Sequence, residues 1–278
     1  MPIYDRKTIG VKSMSDYVDL HNHILPAIDD GPRTMNEAVM LARAMVKAGY
    51  DTVVATPHTF EGRPTKDLIL ERLAELQNEL DRRQIPLKLL PGSEHHIEPQ
   101  IVKRLLDGEI LTLNHSHYLL LELPMLQPVP IYTDQLLFVL VSHGYRPVIP
   151  HPERIVDLQK NPQLLYRLYK AGAIFQLTWG ALTGQLDPGS VKTANLMIDH
   201  NLAHLFATDA HNFASRLLVV DKAAAYLDKK LGPGSAELML STRPRQLISN
   251  ETLDLPPARK PESDRPLKKM FSFFARPR

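Results

Sequence analysis

Cysteine is absent from all 278 residues. Its absence removes disulfides, thiolate-bound zinc and every mechanism that needs a sulfur nucleophile, so this chain could not cleave a phosphate ester as a cysteine phosphatase does. No stretch approaches the roughly 20 consecutive apolar residues that span a bilayer. Met1 to Lys12 lacks the apolar centre of a secretory signal, and the expected location is the cytoplasm. Net charge is also scarce, at +2. The basic excess gathers between Arg259 and Arg278, where seven Lys/Arg meet two Asp/Glu. The remainder is therefore slightly acidic and carries no broad basic footprint for nucleic acid. Tryptophan occurs once and histidine twelve times, an imbalance that points towards metal chemistry.

Short apolar runs alternate with longer amphipathic stretches. Strands are expected at 17–20, 52–55, 87–90, 118–121, 147–149, 173–177 and 202–207. Helices are expected at about 34–48, 66–83, 132–143, 163–171 and 191–200. Such alternation predicts parallel strands in an α/β fold. His21 and His23, His58, Glu94, Glu122, His151, and Asp209 with His211 each fall at or just beyond the C-terminal end of a different expected strand. A barrel draws its site from many strand ends, whereas an open sheet concentrates it at one switch point. The expected architecture is a distorted (β/α)7 TIM-like barrel over residues 17–250, with an N-terminal extension (1–16) and a basic, proline-rich, disordered tail (251–278).

Asp19-Leu20-His21-Asn22-His23 places two imidazoles on one face of a strand end, where they can share a metal. Asp29-Asp30-Gly31-Pro32, Thr56-Pro57-His58, Gly92-Ser93-Glu94, Pro150-His151-Pro152-Glu153-Arg154 and Thr208-Asp209-Ala210-His211 follow. Glu122 ends an apolar run, where a carboxylate is costly to bury without a cation or donor; a salt bridge to an arginine is its structural alternative.

This series resembles the polymerase and histidinol phosphatase (PHP) superfamily. More narrowly, H-x-H-I-L-P-x-x-D-D-G-P, G-x-E, H-P-E-R and T-D-x-H resemble the bacterial manganese-dependent protein tyrosine phosphatases that accompany capsular and exopolysaccharide tyrosine kinases. The resemblance runs from about Tyr17 to Leu247 and implies a roughly seven-stranded barrel. It implies three divalent ions, manganese first, with iron or zinc also suited to nitrogen and oxygen ligands. One would sit on His21, His23, Glu94 and Asp209, a second on Glu94, Glu122 and His151, and a third on Asp30, His58 and His211. Four carboxylates against three divalent ions leave +2, which matches a phosphomonoester dianion. Metal-activated hydroxide would attack phosphorus. Arg154 would clamp the phosphate, with Arg216 as a second candidate.

The expected substrate is a phosphotyrosine protein, with a membrane-bound bacterial tyrosine kinase as partner. Histidinol phosphate phosphatase is the alternative within the superfamily, although Asp30 stands where those enzymes more often place histidine. A non-catalytic scaffold of polysaccharide machinery is the alternative from another class. His95, His96, His115, His117, His143, His200 and His204 are expected at helix ends, loops or the surface, with His95 and His96 near the pocket mouth. Glu153 is a candidate supporting residue, and Trp179 packs or contacts substrate. Lys268-Lys269-Met270-Phe271-Ser272-Phe273-Phe274 suggests weak contact with an anionic membrane surface.

Overall fold

The computed structural model describes residues 16–213 and 219–262. The strands are β1 (Tyr17–Asn22), β2 (Tyr50–Ala55), β3 (His58–Thr59), β4 (Lys88–Pro91), β5 (Glu94–His96), β6 (Tyr118–Glu122), β7 (Arg146–Pro150), β8 (Ile174–Thr178) and β9 (Leu205–Ala207). The helices are α1 (Met35–Lys47), α2 (Lys66–Arg82), α3 (Ile101–Leu106), α4 (Thr133–Ser142), α5 (Val156–Lys160), α6 (Gln163–Lys170), α7 (Pro188–Asp199), α8 (Val220–Leu231), α9 (Ser235–Glu237) and α10 (Arg243–Ile248). A π-helical turn over Leu238–Thr242 leads into α10.

Local chemistry sets the helix starts. Thr34 caps α1 by accepting from Glu37 N, while Glu37 reaches back to Arg33 N, a variant of the capping box. Asp187 accepts from Gly189 N and Ser190 N, and Pro188 opens α7. This helix therefore begins three residues before the expected one. The buried face of α1, Ala38, Val39, Leu41, Ala42 and Met45, packs in the outer core between strands and helices.

Every strand pairing is parallel, as the sequence pattern predicts. The expected single barrel ladder is not what the hydrogen bonds give. The strands form two sheets, β1-β2-β4 and β3-β5-β6-β7-β8-β9. The physical reason lies at two interruptions. Pro57, between β2 and β3, has no N–H to donate, and Gly92-Ser93 separates β4 from β5. An isolated parallel bridge, Asn22 to Ala210, joins the end of β1 to the segment after β9.

Inside the strands lies a second apolar cluster, containing Val18 and Leu20 of β1, Val54, Leu90, Tyr118, Leu120, Val148, Ile174 and Leu205. Leu247 and Leu253 close it. The expected tail from residue 251 is corrected at its near end. Tyr118 Oη donates to Glu251 O (2.7 Å) and accepts from Leu253 N (3.1 Å), Arg259 N donates to His200 O (2.8 Å), and Pro261 is buried. Prolines exclude helix and central strand but permit an extended segment laid on a surface. Lys268–Phe274 lies outside the described residues. Among the described residues, no helix is long and apolar enough to cross a membrane.

His204, expected at a helix end, in a loop or at the surface, lies in the loop just before β9 but is fully buried. Its ring stacks on Phe175 (5.8 Å, 11°), and its Nδ1 accepts from Phe175 N at 2.9 Å. Burial first, and then the nearby Arg243 cation, pushes its pKa down to about 3 from 6.5. Between those values the unfolded chain holds a proton that the folded chain does not. Stability should therefore be fully present above pH 6.5 and fall on acidification towards the folded pKa, by about 1.4 kcal/mol per pH unit for one proton. His204→Asn keeps an acceptor for Phe175 N but does not titrate. Urea melts in chelator at about pH 7 and about pH 5 should show a shallower loss for this variant by that one-proton slope. Equal slopes would assign the acid sensitivity elsewhere.

Candidate metal centre

Simple alternation does not deliver the first two histidines. Val18 and Leu20 point into the inner cluster. Asn22 lies on the outer side, where its Nδ2 reaches Met45 Sδ of α1 and Asp19 Oδ2. Continued alternation from Leu20 would instead send His21 and His23 outward and Asn22 inward. The pairing with β2 shows what prevents this. Asp19 opposes Val53 and Asn22 opposes Ala55, so β1 spends one more residue than its partner. That β-bulge turns His21 inward beside Leu20, and His23 follows two residues later.

Other strands need no such device. The inner face of Leu90 carries Glu94 four residues on, and that of Leu120 carries Glu122 two residues on. Gly92 stands between Leu90 and Glu94 because a Cβ there would lie 2.8 Å from Val54 Cγ1. His151 and Asp209 sit at strand exits with φ of 37° and 51°. This left-handed conformation costs a non-glycine residue on the order of 1 kcal/mol or more, and such strain concentrates at functional sites.

The ring nitrogens carry the decisive geometry. His21 Nδ1 lies 2.8 Å from Gln176 Oε1, and His23 Nδ1 lies 2.7 Å from Asp29 Oδ2. Gln176 Nε2 donates to Leu177 O, which orients its amide oxygen towards His21. Amide and carboxylate oxygens only accept, so both imidazoles carry hydrogen on Nδ1. As neutral rings they offer bare Nε2 lone pairs to each other at 3.2 Å. Glu94 Oε2 lies 3.2 and 3.4 Å from these two nitrogens, and Asp209 Oδ1 lies 3.5 Å from each. Glu94 Oε2 is buried without a hydrogen-bond partner. Four acceptor atoms converging away from water require a shared positive charge, and imidazole with carboxylate is a donor set for a divalent transition ion. The residues fit a metal centre.

Titration directions express the same demand. Burial alone would raise the Glu94 carboxyl, yet His21, His151 and His23 hold it well below the ordinary range. Burial alone would lower His23, yet Asp209, Asp29 and Glu94 raise it well above 6.5.

Two further groups adjoin this one. His151 Nε2 lies 3.0 Å from Glu94 Oε1 and 3.7 Å from Glu122 Oε1. His58 Nδ1 lies 2.9 Å from Glu94 Oε2 and 3.8 Å from Glu122 Oε2. Imidazoles thus surround Glu122 where an arginine was the structural alternative. Asp30 Oδ1 lies 3.2 Å from His211 Nε2 and 3.7 Å from His58 Nε2. Ligand atoms fall within 4.8 Å of one another in three sets: His21-His23-Glu94, His58-Glu94-Glu122, and His23-Asp30-His58-His211. All nine expected ligand residues therefore meet in one place. The sets differ from the expected grouping: His58 joins Glu94 and Glu122, His23 joins Asp30, His58 and His211, and Asp209 and His151 adjoin the sets without belonging to any of the three.

Arg154 is at the same place, donating from Nη1 to Asp209 Oδ2 at 2.8 Å while partly exposed. Arg216 lies outside the described residues. Trp179 is buried and stacks on Phe206 at 4.8 Å, so its role is packing. His95, expected near the pocket mouth, is buried and meets Thr59, Ser93 and Leu111 O; its pKa falls to about 4 through burial. Glu153 accepts from Thr178 N and Oγ1.

Two supporting residues escaped sequence reasoning. Asp29 accepts from Gly31 N and His58 N besides holding His23; the doubled aspartate before Gly-Pro was its available signal. Gln176, inside a strand, had none.

Comparison with known proteins agrees with this geometry. The description of a family named for capsular polysaccharide synthesis, CpsB/CapC, matches residues 17–249. The chain belongs to that family. The tyrosine-protein phosphatase YwqE of Bacillus subtilis is 36% identical over 92% of this chain and all of its own length. The putative tyrosine-protein phosphatase CapC of Staphylococcus aureus is 38% identical over 77% of this chain and 84% of its own. A crystal structure from work on YwqE of B. subtilis and CpsB of Streptococcus pneumoniae, described there as unique metal-dependent tyrosine phosphatases, superposes with a TM-score of 0.84 at 34% identity. It covers 88% of this chain and 100% of the solved one. A lactonase from Listeria monocytogenes shares the fold alone, with a TM-score of 0.53 at 9% identity over 86% of this chain and 96% of its own.

The Asp29 contact can be tested through binding. Asp29→Asn removes the charge behind His23 and leaves one acceptor oxygen, which can serve Gly31 N or the His58 N and His23 Nδ1 side but not both. Metal affinity should fall about tenfold to a hundredfold, measured by retention on dialysis, with the circular dichroism spectrum unchanged. Undiminished retention would remove Asp29 from the metal centre.

Proposed function

We propose that this member of the family is a metal-dependent phosphomonoesterase that hydrolyses phosphotyrosine on proteins of capsule or exopolysaccharide assembly. The observation that carries the reading is the buried convergence of His21, His23, Glu94 and Asp209 acceptor atoms. The names of the relatives point to the same activity and do not favour histidinol phosphate. Three divalent ions would be held, one by His21, His23, Glu94 and Asp209, one by Glu94, Glu122 and His151, and one by Asp30, His58 and His211. Manganese is the first choice, with iron or zinc compatible with the same ligands. Bound there, the ions supply Lewis acidity towards phosphoryl oxygens and water.

The chain's own groups orient the ester. Arg154 has guanidinium donors beyond the one Asp209 accepts, and a planar fork suits two phosphoryl oxygens. Asp209 thereby ties the anion clamp to the first metal ligand set. A tyrosine phenol leaves with a pKa of about 10, so no side chain is assigned as general acid. The two sheets read as one distorted barrel of seven strand–helix units. Residues 50–59 and 88–96 each contribute a strand to both sheets, which supports that reading. The substrate would be a cytoplasmic phosphotyrosine segment, for example on a membrane-bound bacterial tyrosine kinase.

The test is hydrolysis of a phosphotyrosine peptide beside histidinol phosphate, with added manganese and in chelator. Peptide turnover should dominate and vanish in chelator. Arg154→Ala should lose about 2–4 kcal/mol of transition-state stabilisation with metal content intact, and Arg154→Lys should recover part of it. Preference for histidinol phosphate, or turnover that survives chelation, would refute the proposal.

A further inference from the structure

A cavity of about 290 Å³ opens beside Asp30 and His211 and is walled by Gly31, Pro32, Phe213 and the polar side chains of Arg33, Glu37 and Asn212. One wall is fixed by its backbone. Ala27 N donates to Pro32 O at 2.8 Å, and Gly31 N donates to Asp29 Oδ1 at 2.9 Å. A Cβ on Gly31 would lie 2.1 Å from His23 O, so the wall requires glycine at that position. Phe213, which is 43% exposed and stands two residues beyond His211, also lines the cavity.

We infer that this cavity receives the phenol ring of the substrate, with Phe213 as the side chain that favours aryl over alkyl phosphates. The inference rests on the phosphatase reading of the adjoining centre. A phosphate held at the Asp30 and His211 side places its ester substituent either in this cavity or in water. The volume lies at the low end of small-molecule pockets, about 300–1,000 Å³, which suits a single ring. An aromatic guest would cover the exposed face of Phe213, and offset or edge contact between the two rings adds to the burial. A short alkyl phosphate would not reach that ring. Phe60 is the competing ring. It is 54% exposed, but it already meets His96 edge-on at 5.5 Å, and it does not line this cavity.

Binding of phenylphosphonate and methylphosphonate to the manganese-loaded full chain, measured by calorimetry, tests the inference independently of turnover. Phe213→Ala should weaken phenylphosphonate about fivefold to tenfold and leave methylphosphonate unchanged. The KM for a phosphotyrosine peptide should rise by a similar factor. Phe213→Tyr should restore the aryl preference, and Phe60→Ala should leave it intact. Equal weakening of both phosphonates by Phe213→Ala and Phe213→Leu, no weakening of either, or loss of aryl preference in Phe60→Ala would overturn the inference while leaving the phosphatase reading in place. Absence of peptide hydrolysis by the wild-type protein would instead overturn that reading.

Discussion

A single carboxylate, fully buried and ringed by imidazole nitrogens, sets the terms for the rest of this molecule. Glu94 has His21, His23, His58 and His151 within 3.4 Å. Desolvating a carboxylate is expensive, and it becomes tolerable only where positive charge is fixed nearby. With Nδ1 of each ring donating to Gln176 or Asp29, the two Nε2 atoms turn towards the same point that Glu94 faces. Proton or metal must complete the arrangement, and the nitrogen and oxygen ligands suit a metal.

Holding so many ligands together demands a rigid frame. The inner cluster fills the space below the ligands with Val18, Leu20, Val54, Leu90, Leu120 and their neighbours, so the polar layer rests on a packed one. At the start of the strands, Arg245 pairs with Asp51 and the carbonyl of Asp16, and Arg243 donates to His204 O. The segment after α10 then lies across Tyr118. Chemistry at one end of the strands and fastening at the other is the division of labour familiar in α/β barrels. It allows strain at His151 and Asp209 to persist, because the surrounding structure over-determines both positions.

Much of this was legible because polar residues at the ends of apolar runs have few structural explanations. His58, Glu94, Glu122, His151 and Asp209 announce themselves in that way, and simple alternation carries Glu94 and Glu122 inward. The inward turn of His21 was not legible, since it depends on one extra residue in β1 relative to β2, a property of pairing. The interruptions at Pro57 and Gly92 were visible as residues, but their effect on the ladder was not. His95 was expected near the pocket mouth and His204 at a helix end, loop or surface, and pattern alone did not show their burial; each is buried as a neutral ring, with its pKa lowered to about 4 and about 3. Residues 251–262 read as tail because proline excludes regular structure, yet irregular backbone can still pack. Asp29 and Gln176 act through histidines, and such contacts leave little trace in sequence.

The most direct test replaces Glu94 by its neutral isostere. Metal content and phosphotyrosine turnover are followed together as manganese is added to metal-free wild-type and Glu94→Gln protein. Turnover in the wild type should rise in step with bound metal. Glu94→Gln should remain folded while losing both metal and activity. Phosphotyrosine hydrolysis at a wild-type rate by Glu94→Gln, or by wild-type protein free of metal, would contradict the metal-centred account.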